Sequence, residues 1–196
     1  MRILAVSDEV AKQYYDYYTP GKLACFDLIL ACGDLKREYL EFLVTMARCP
    51  LLYVRGNHDD GFLDRPPEGC GCVDGFFTEV NGLRIVGLGG AFRYREGANL
   101  YTERQMRRRI RKLARRIRRA GGFDILLTHA PARGINDLED PAHRGFACFT
   151  ELIELWRPRF LIHGHIHTRY GPRIPRVTQH GATTVINACG SYIIET

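Results

Sequence analysis

Leu28-Ile29-Leu30-Ala31-Cys32-Gly33-Asp34 sets the pattern by which the chain is read: a short run rich in leucine and isoleucine, a glycine, then a carboxylate. The run reads as a strand, and the acidic residue falls where that strand ends. The same order recurs along the chain. Asp8 follows Ile3 to Ser7, Asn57 and His58 follow Leu51 to Gly56, and His129 follows Ile125 to Thr128. His163, His165 and His167 follow Phe160 to Ile162. Donor groups at the carboxyl ends of neighbouring strands converge on one crevice, which is where open α/β sheets bind their ligands. Carboxylate, amide and imidazole donors together suit a divalent ion such as Mn, Fe or Zn better than a thiolate site would, and a pair of such ions is expected.

Between the strands, Glu38 to Ala47, Thr102 to Arg119 and Cys148 to Trp156 carry helical spacing. Phe76 to Val80 and Leu83 to Leu88 read as a hairpin, because Asn81-Gly82 supplies the positive φ angles of a two-residue turn. A second all-strand stretch runs from Thr183 to Ala188 and from Ser191 to Ile194. Strand pairs among β/α units point to an α/β fold of two mixed sheets packed face to face with helices outside. Two long loops, Gly61 to Gly75 and Ala130 to Phe146, follow candidate site residues, as functional loops often do. There is no internal repeat and no low-complexity linker, so 1–196 is expected to be a single domain.

Composition narrows the class further. The 196 residues are 45% hydrophobic and 26% charged, an ordinary globular balance. The net charge is +6, yet Glu103 to Arg119 alone carries +9, which leaves the rest of the chain at −3. Basicity is therefore a property of one helix, whose Met106, Ile110, Leu113, Ala114 and Ile117 form a stripe for packing. Three readings of its charged face stay open: contact with the acidic remainder of the chain, an oligomer contact, and nucleic-acid binding through Arg107 to Arg119. The apolar runs fall far short of the roughly 18 residues needed to span a bilayer, and neither a membrane span nor an export signal is expected. A cytoplasmic location away from membranes is expected. Seven cysteines, an odd number, fit reduced and mostly buried thiols. Cys70-Gly71-Cys72 lies in the turn-rich stretch and reads as loop cysteines, with a ligand or redox pair as the sharper alternative.

Taken in order, Asp8, Gly33-Asp34, Gly56-Asn57-His58-Asp59, Thr128-His129 and Gly164-His165-Ile166-His167 resemble the signature of the calcineurin-like metallophosphoesterases. Gly87 to Gly90 and Asn187 to Ser191 resemble that family as well. The resemblance implies a four-layer αββα sandwich and a centre of two divalent ions, Mn first, with Fe, Zn or Ni as options. It implies Asp34 as the bridging carboxylate, with Asn57, His129 and His165 completing one ion and Asp8 and His167 holding the other. His58 would donate to the phosphoryl oxygens or to the leaving oxygen. The implied reaction is hydrolysis of a phosphoester, preferably a diester, by in-line attack of a hydroxide bridging the ions. A small phosphoester or a nucleotide is the expected substrate.

Two departures qualify this. The family's first motif is Asp-x-His, but the third position here is Val10, so the Asp8/His167 ion loses a neutral donor and is expected to bind more weakly, relying on water, Glu9 or a more distant group. Phosphatase branches place an Asp three residues after the bridging one, where this chain has Arg37, leaving Asp59 or Glu38 to orient His58. His163 reads as a supporting or core residue and His180 as exposed, while His143 in the second long loop is a candidate substrate contact. The alternatives to a phosphodiesterase are a non-catalytic scaffold on the same fold and a nuclease using the arginine-rich helix.

Overall fold

The computed structural model describes residues 1–168 and 174–196. In chain order the first half carries β1 (Arg2–Ser7), β2 (Leu28–Ala31), α1 (Arg37–Ala47), β3 (Leu51–Tyr53), β4 (Gly71–Cys72), β5 (Phe77–Val80), β6 (Leu83–Leu88), β7 (Ala91–Phe92) and β8 (Leu100–Tyr101). The second half carries α2 (Glu103–Arg119), β9 (Ile125–Thr128), α3 (Ala147–Trp156), β10 (Phe160–His163), β11 (Val177–His180), β12 (Thr183–Asn187) and β13 (Gly190–Glu195).

One sheet has the order β13-β1-β2-β3-β4 and the other β11-β12-β10-β9-β6-β5, with β7 and β8 as a separate parallel pair. The inner strands of both sheets run parallel, and antiparallel strands sit at the edges: β13 in the first sheet, β11 and β5 in the second. Parallel strands buried on both faces read as unbroken apolar runs, which is why β1, β2, β9 and β10 stand out in the sequence.

Alternation along each strand assigns its side chains to layers. Ile3, Ala5, Leu28, Leu30 and Leu52 of the first sheet meet Ile85, Ile125, Leu127, Ile162 and Ile186 of the second, and this apolar layer fills the sandwich. Leu4, Val6, Ile29 and Ala31 face outward under Tyr39, Leu40, Leu43 and Ala47 of α1. Val86, Leu126, Leu161 and Val185 face the other way under Met106, Leu113 and Ile117 of α2 and Phe149, Leu152 and Ile153 of α3. The layers are thus helix, sheet, sheet, helices, the αββα arrangement expected.

The basic helix is tied down at one end. Thr102 caps it in a reciprocal pair with Gln105, and Glu103 accepts hydrogen bonds from the amides of Ala147 and Cys148 at the start of α3. Arg107 pairs with Glu103 and Glu151. Arg109 reaches the buried Asp74, which also binds Arg55 and accepts the amide of Gly89. Arg104, Arg108, Arg111, Lys112, Arg115, Arg116, Arg118 and Arg119 are exposed. The acidic remainder of the chain therefore answers part of this charge.

Two details differ from the sequence reading. Cys70-Gly71-Cys72 is not all loop: Gly71 and Cys72 form the edge strand β4 beside β3, because Leu52 and Tyr53 offer their free edge to it. The seven cysteines are free thiols. His180 is half-buried and paired with Glu154 at 3.2 Å, since the β11–β12 turn lies against α3.

Asp74→Ala would leave Arg55, Arg109 and the Gly89 amide without their shared acceptor. Removing one partner of a buried ion pair costs about 3–5 kcal/mol. Urea unfolding of this variant should show a loss of that order, against near-neutrality for the exposed Arg115→Ala.

Candidate metal centre

The strand-end segments approach one another closely at glycines. A Cβ on Gly33 would lie 2.3 Å from the Gly56 amide nitrogen, and one on Gly164 would lie 1.9 Å from Ser7 Oγ. Only glycine permits either contact. Asp59 fixes the first meeting, its Oδ2 accepting from the amides of Asp34 at 2.8 Å and Gly56 at 2.7 Å. Asp8 fixes the second, its carboxylate accepting from the His165 amide at 2.9 Å. Three site residues stand in the left-handed region, Asp8 at φ 62°, Asp34 at φ 56° and His165 at φ 68°. Such conformations cost of order 1–3 kcal/mol each and persist where the surroundings hold them.

His129 is fully buried, and the Cys32 carbonyl fixes which of its ring nitrogens carries a hydrogen. Its Nδ1 lies 2.7 Å from the Cys32 carbonyl oxygen, which only accepts, so Nδ1 carries a hydrogen. In the neutral ring Nε2 is then a lone pair, and it faces Asn57 Oδ1 at 2.9 Å and Asp34 Oδ2 at 3.4 Å. As placed, three acceptors face one another in a buried site, an arrangement that a cation among them reconciles. A proton can serve: burial disfavours the imidazolium, but the Asp34 carboxylate outweighs it and pushes His129 up to about 9. A divalent ion meets the same need with more charge.

His165 completes the group. Its Nε2 donates to the Ala142 carbonyl at 2.7 Å, which leaves Nδ1 as a lone pair. Burial, with the His129 charge beside it, draws this imidazole down to about 3, so the lone pair stays available. Ligand atoms of Asp34, His129 and His165 lie within 4.8 Å of one another. Burial alone would raise Asp34, yet His129 and the His58 amide, which donates to Oδ1 at 2.8 Å, hold its carboxyl below the usual range. The donor set fits a divalent ion.

The expected second set is arranged differently. Asp8 Oδ1 stands 3.9 Å from His167 Nε2, while His167 Nδ1 lies 3.2 Å from Glu9 Oε1. Burial raises the Asp8 carboxyl. The trio whose ligand atoms lie within 4.8 Å of one another is Glu9, His167 and Cys189, and Asp8 stands outside it. In the sequence Cys189 reads as one more small buried residue. The signal that could have found it is its place just past β12, whose neighbour β10 ends at His163.

His58 is exposed, and the Asp59 contacts seen run from its Oδ2 to the amides of Asp34 and Gly56. Burial nonetheless pushes Asp59 up to about 6. Arg37 turns away to Glu41 and Glu68. His143 comes within 5.2 Å of the His165 ring, with its Nδ1 2.9 Å from Asp140 Oδ1. His163 is buried, with Nδ1 2.9 Å from the Gly164 carbonyl, and burial pulls it down to about 4. Beside Asp8 and Asp34 opens a cleft of about 780 Å³ whose wall includes Glu9, Val10, Lys12, Asp16, Lys36 and Glu38. Nothing in the sequence spacing marks the two lysines. Among the described residues no helix is long and apolar enough to cross a membrane.

Comparison with known proteins gives the family and the fold. The profile of the calcineurin-like phosphoesterase superfamily domain matches residues 1–193. The UPF0046 protein of Caenorhabditis elegans is 25% identical over 96% of this chain and 69% of its own length. A lariat debranching enzyme from Caenorhabditis briggsae is 24% identical over 76% of this chain, which spans 42% of that enzyme's length. Among solved structures, TT1561 of Thermus thermophilus superposes with a TM-score of 0.60 at 17% identity, covering 96% of this chain and 88% of that one, a likeness of fold.

If the strand-end cluster holds an ion, Mn²⁺ at a hundred times its dissociation constant should stabilise the protein by about 2.7 kcal/mol. Thermal unfolding should show that gain as a raised Tm in the native protein and lose it in Asp34→Asn. An equal rise in both would place the ion elsewhere.

Proposed function

Since the chain belongs to the calcineurin-like phosphoesterase superfamily, we propose that it is a metal-dependent phosphodiesterase whose reaction takes place where β1, β2, β3, β9 and β10 end. Membership supports a metal-dependent phosphoesterase in general; the preference for a diester is our own reading. The observation that carries the reading is the set of unreconciled acceptors on His129, Asn57 and Asp34, a buried arrangement that calls for a cation.

In this reading Asp34, Asn57, His129 and His165 hold one divalent ion, and Asp8 and His167 stand on the side of a second. Divalent ions there, Mn²⁺ being our first choice, would activate water for in-line attack and offset charge developing on the phosphoryl group. His58, exposed beside Asp34, donates to the phosphoryl or leaving oxygen. His143, oriented by Asp140, contacts the substrate from the second long loop.

The cleft supports a diester. Asp8, Glu9, Asp16, Asp34 and Glu38 set five carboxylates against Lys12 and Lys36. Two divalent ions would leave the cleft with one net positive charge, which matches the single negative charge of a phosphodiester better than the two of a monoester. Lys12 and Lys36 are the cations placed to meet it.

A second reading, nucleic acid as substrate, is favoured by the exposed cations of α2 and fits the likeness to a lariat debranching enzyme. Binding of single-stranded RNA should then weaken steeply with salt, and reversing Arg111, Arg115 and Arg118 together should flatten log K against log salt by about 0.7 for each phosphate no longer neutralised. Binding indifferent to salt would set this reading aside.

Metal-stripped protein titrated with Mn²⁺ should hydrolyse bis-p-nitrophenyl phosphate, and an Asn57→Ala, His165→Ala double variant should fall to background. Lys36→Ala should raise KM by about tenfold with kcat nearly kept, the scale of one charge-assisted hydrogen bond. No turnover with Mn, Fe, Ni or Zn would instead favour a non-catalytic scaffold.

A further inference from the structure

Val10 removes a donor from the second ion position, and the fold brings two other donors to the same side. We propose that Glu9, His167 and Cys189 form that position, a carboxylate–imidazole–thiolate site for a borderline-soft divalent ion such as Zn²⁺. The inference deepens the function proposed above and rests on it.

Topology puts the thiol there. The chain leaves β12 in the second sheet and enters β13 in the first, and Cys189 lies in that crossover, bridged to Ser7 at the end of β1. Asn187 holds the crossover against the histidine loop: its Nδ2 donates to the Ile166 carbonyl at 2.7 Å, and its Oδ1 accepts the Cys189 amide at 3.0 Å. Arg176 pins the same turn by donating to the carbonyls of Cys189 at 2.9 Å and Ser191 at 2.8 Å. Cys189 is thereby fixed beside His167 by hydrogen bonds from both sides of the turn.

The distances suit an ion. Tetrahedral Zn²⁺, with bonds of about 2.0–2.3 Å, keeps its ligand atoms roughly 3.3–3.8 Å apart. The ligand atoms of the trio lie within 4.8 Å of one another. Glu9 is exposed and can move inward, while Cys189 is buried and fixed. The other ring nitrogen of His167 faces Asp8, so Asp8 can support the imidazole from behind while the trio binds. Thiolate also separates the two positions chemically. The Asp34 cluster offers only oxygen and nitrogen, which suits Mn²⁺, whereas sulfur selects softer ions.

The experiment is titration of the metal-stripped full chain with Co²⁺, followed by absorption and by bound metal per chain. The native protein should take up two ions, with visible d–d bands from both and a near-ultraviolet thiolate-to-Co²⁺ band growing with one of them. Cys189→Ser should lose the sulfur band and one ion but keep the other ion's visible bands, which also reports that the variant is folded. Glu9→Gln, at an exposed position, should weaken the sulfur-linked ion at least about tenfold, the lower end of losses when a metal site loses a supporting group. Asp34→Asn should keep the sulfur band while the other ion is lost. Visible bands without a sulfur band, or a sulfur band surviving in Cys189→Ser, would overturn the proposal while leaving the phosphoesterase reading intact. Absence of any Co²⁺ binding would overturn both.

Discussion

Close contact at the strand ends, made where glycines carry no side chain, is the constraint on which the rest of the site depends. The loop after β2 touches the loop after β3 at Gly33 and Gly56, and the loop after β10 touches the end of β1 at Gly164. With no side chain on these glycines the segments close up, so carboxylates and imidazoles from the ends of five strands converge on one place. Some of the buried polar groups that result satisfy one another, as Asp59 on two amides and Asp8 on the His165 amide illustrate, while the acceptors around His129 Nε2 do not. The apolar layer between the sheets keeps those strand ends level, because parallel neighbours in register end together.

That convergence has an electrostatic cost that the protein alone meets with a proton. His129 is held charged at neutral pH by Asp34, while His165 and His163 are kept neutral by burial. The left-handed conformations at Asp8, Asp34 and His165 follow the same logic: local backbone strain is retained at the three positions where the direction of a ligand matters.

The basic helix shows how a charge count hides two populations. Arg107 and Arg109 serve the fold, one joining α2 to α3 and the other reaching Asp74 next to the Arg55 that leads into the Asn57 loop. Its exposed cations lie on the outer face of the second sheet's helical layer, where they are open to a partner outside the fold. The link from Arg109 through Asp74 to Arg55 means that neutralising the helix wholesale would disturb the site, so its surface charges are best altered without Arg109.

Strands, hairpin, helices and the strand-end donors could be read from the chain because each depends on local information: an apolar run of fixed length, an Asn-Gly turn, helical spacing, a polar residue after a glycine. The two packed sheets were legible from the strand pairs among the β/α units, and the four layers from the resemblance to the metallophosphoesterases. What depends on segments distant in sequence could not be read in this way. Cys189 looks like any small buried residue until the β12-to-β13 crossover sets it beside His167, and Asp59 looks like a partner for His58 until its carboxylate is found on two amides. Lys12 and Lys36 gain meaning only as walls of one cleft. Composition and spacing determine which groups are available and which elements carry them. Which lone pair faces which is decided by register and loop contact between segments more than a hundred residues apart, such as His165 on Asp8, and no local pattern encodes that.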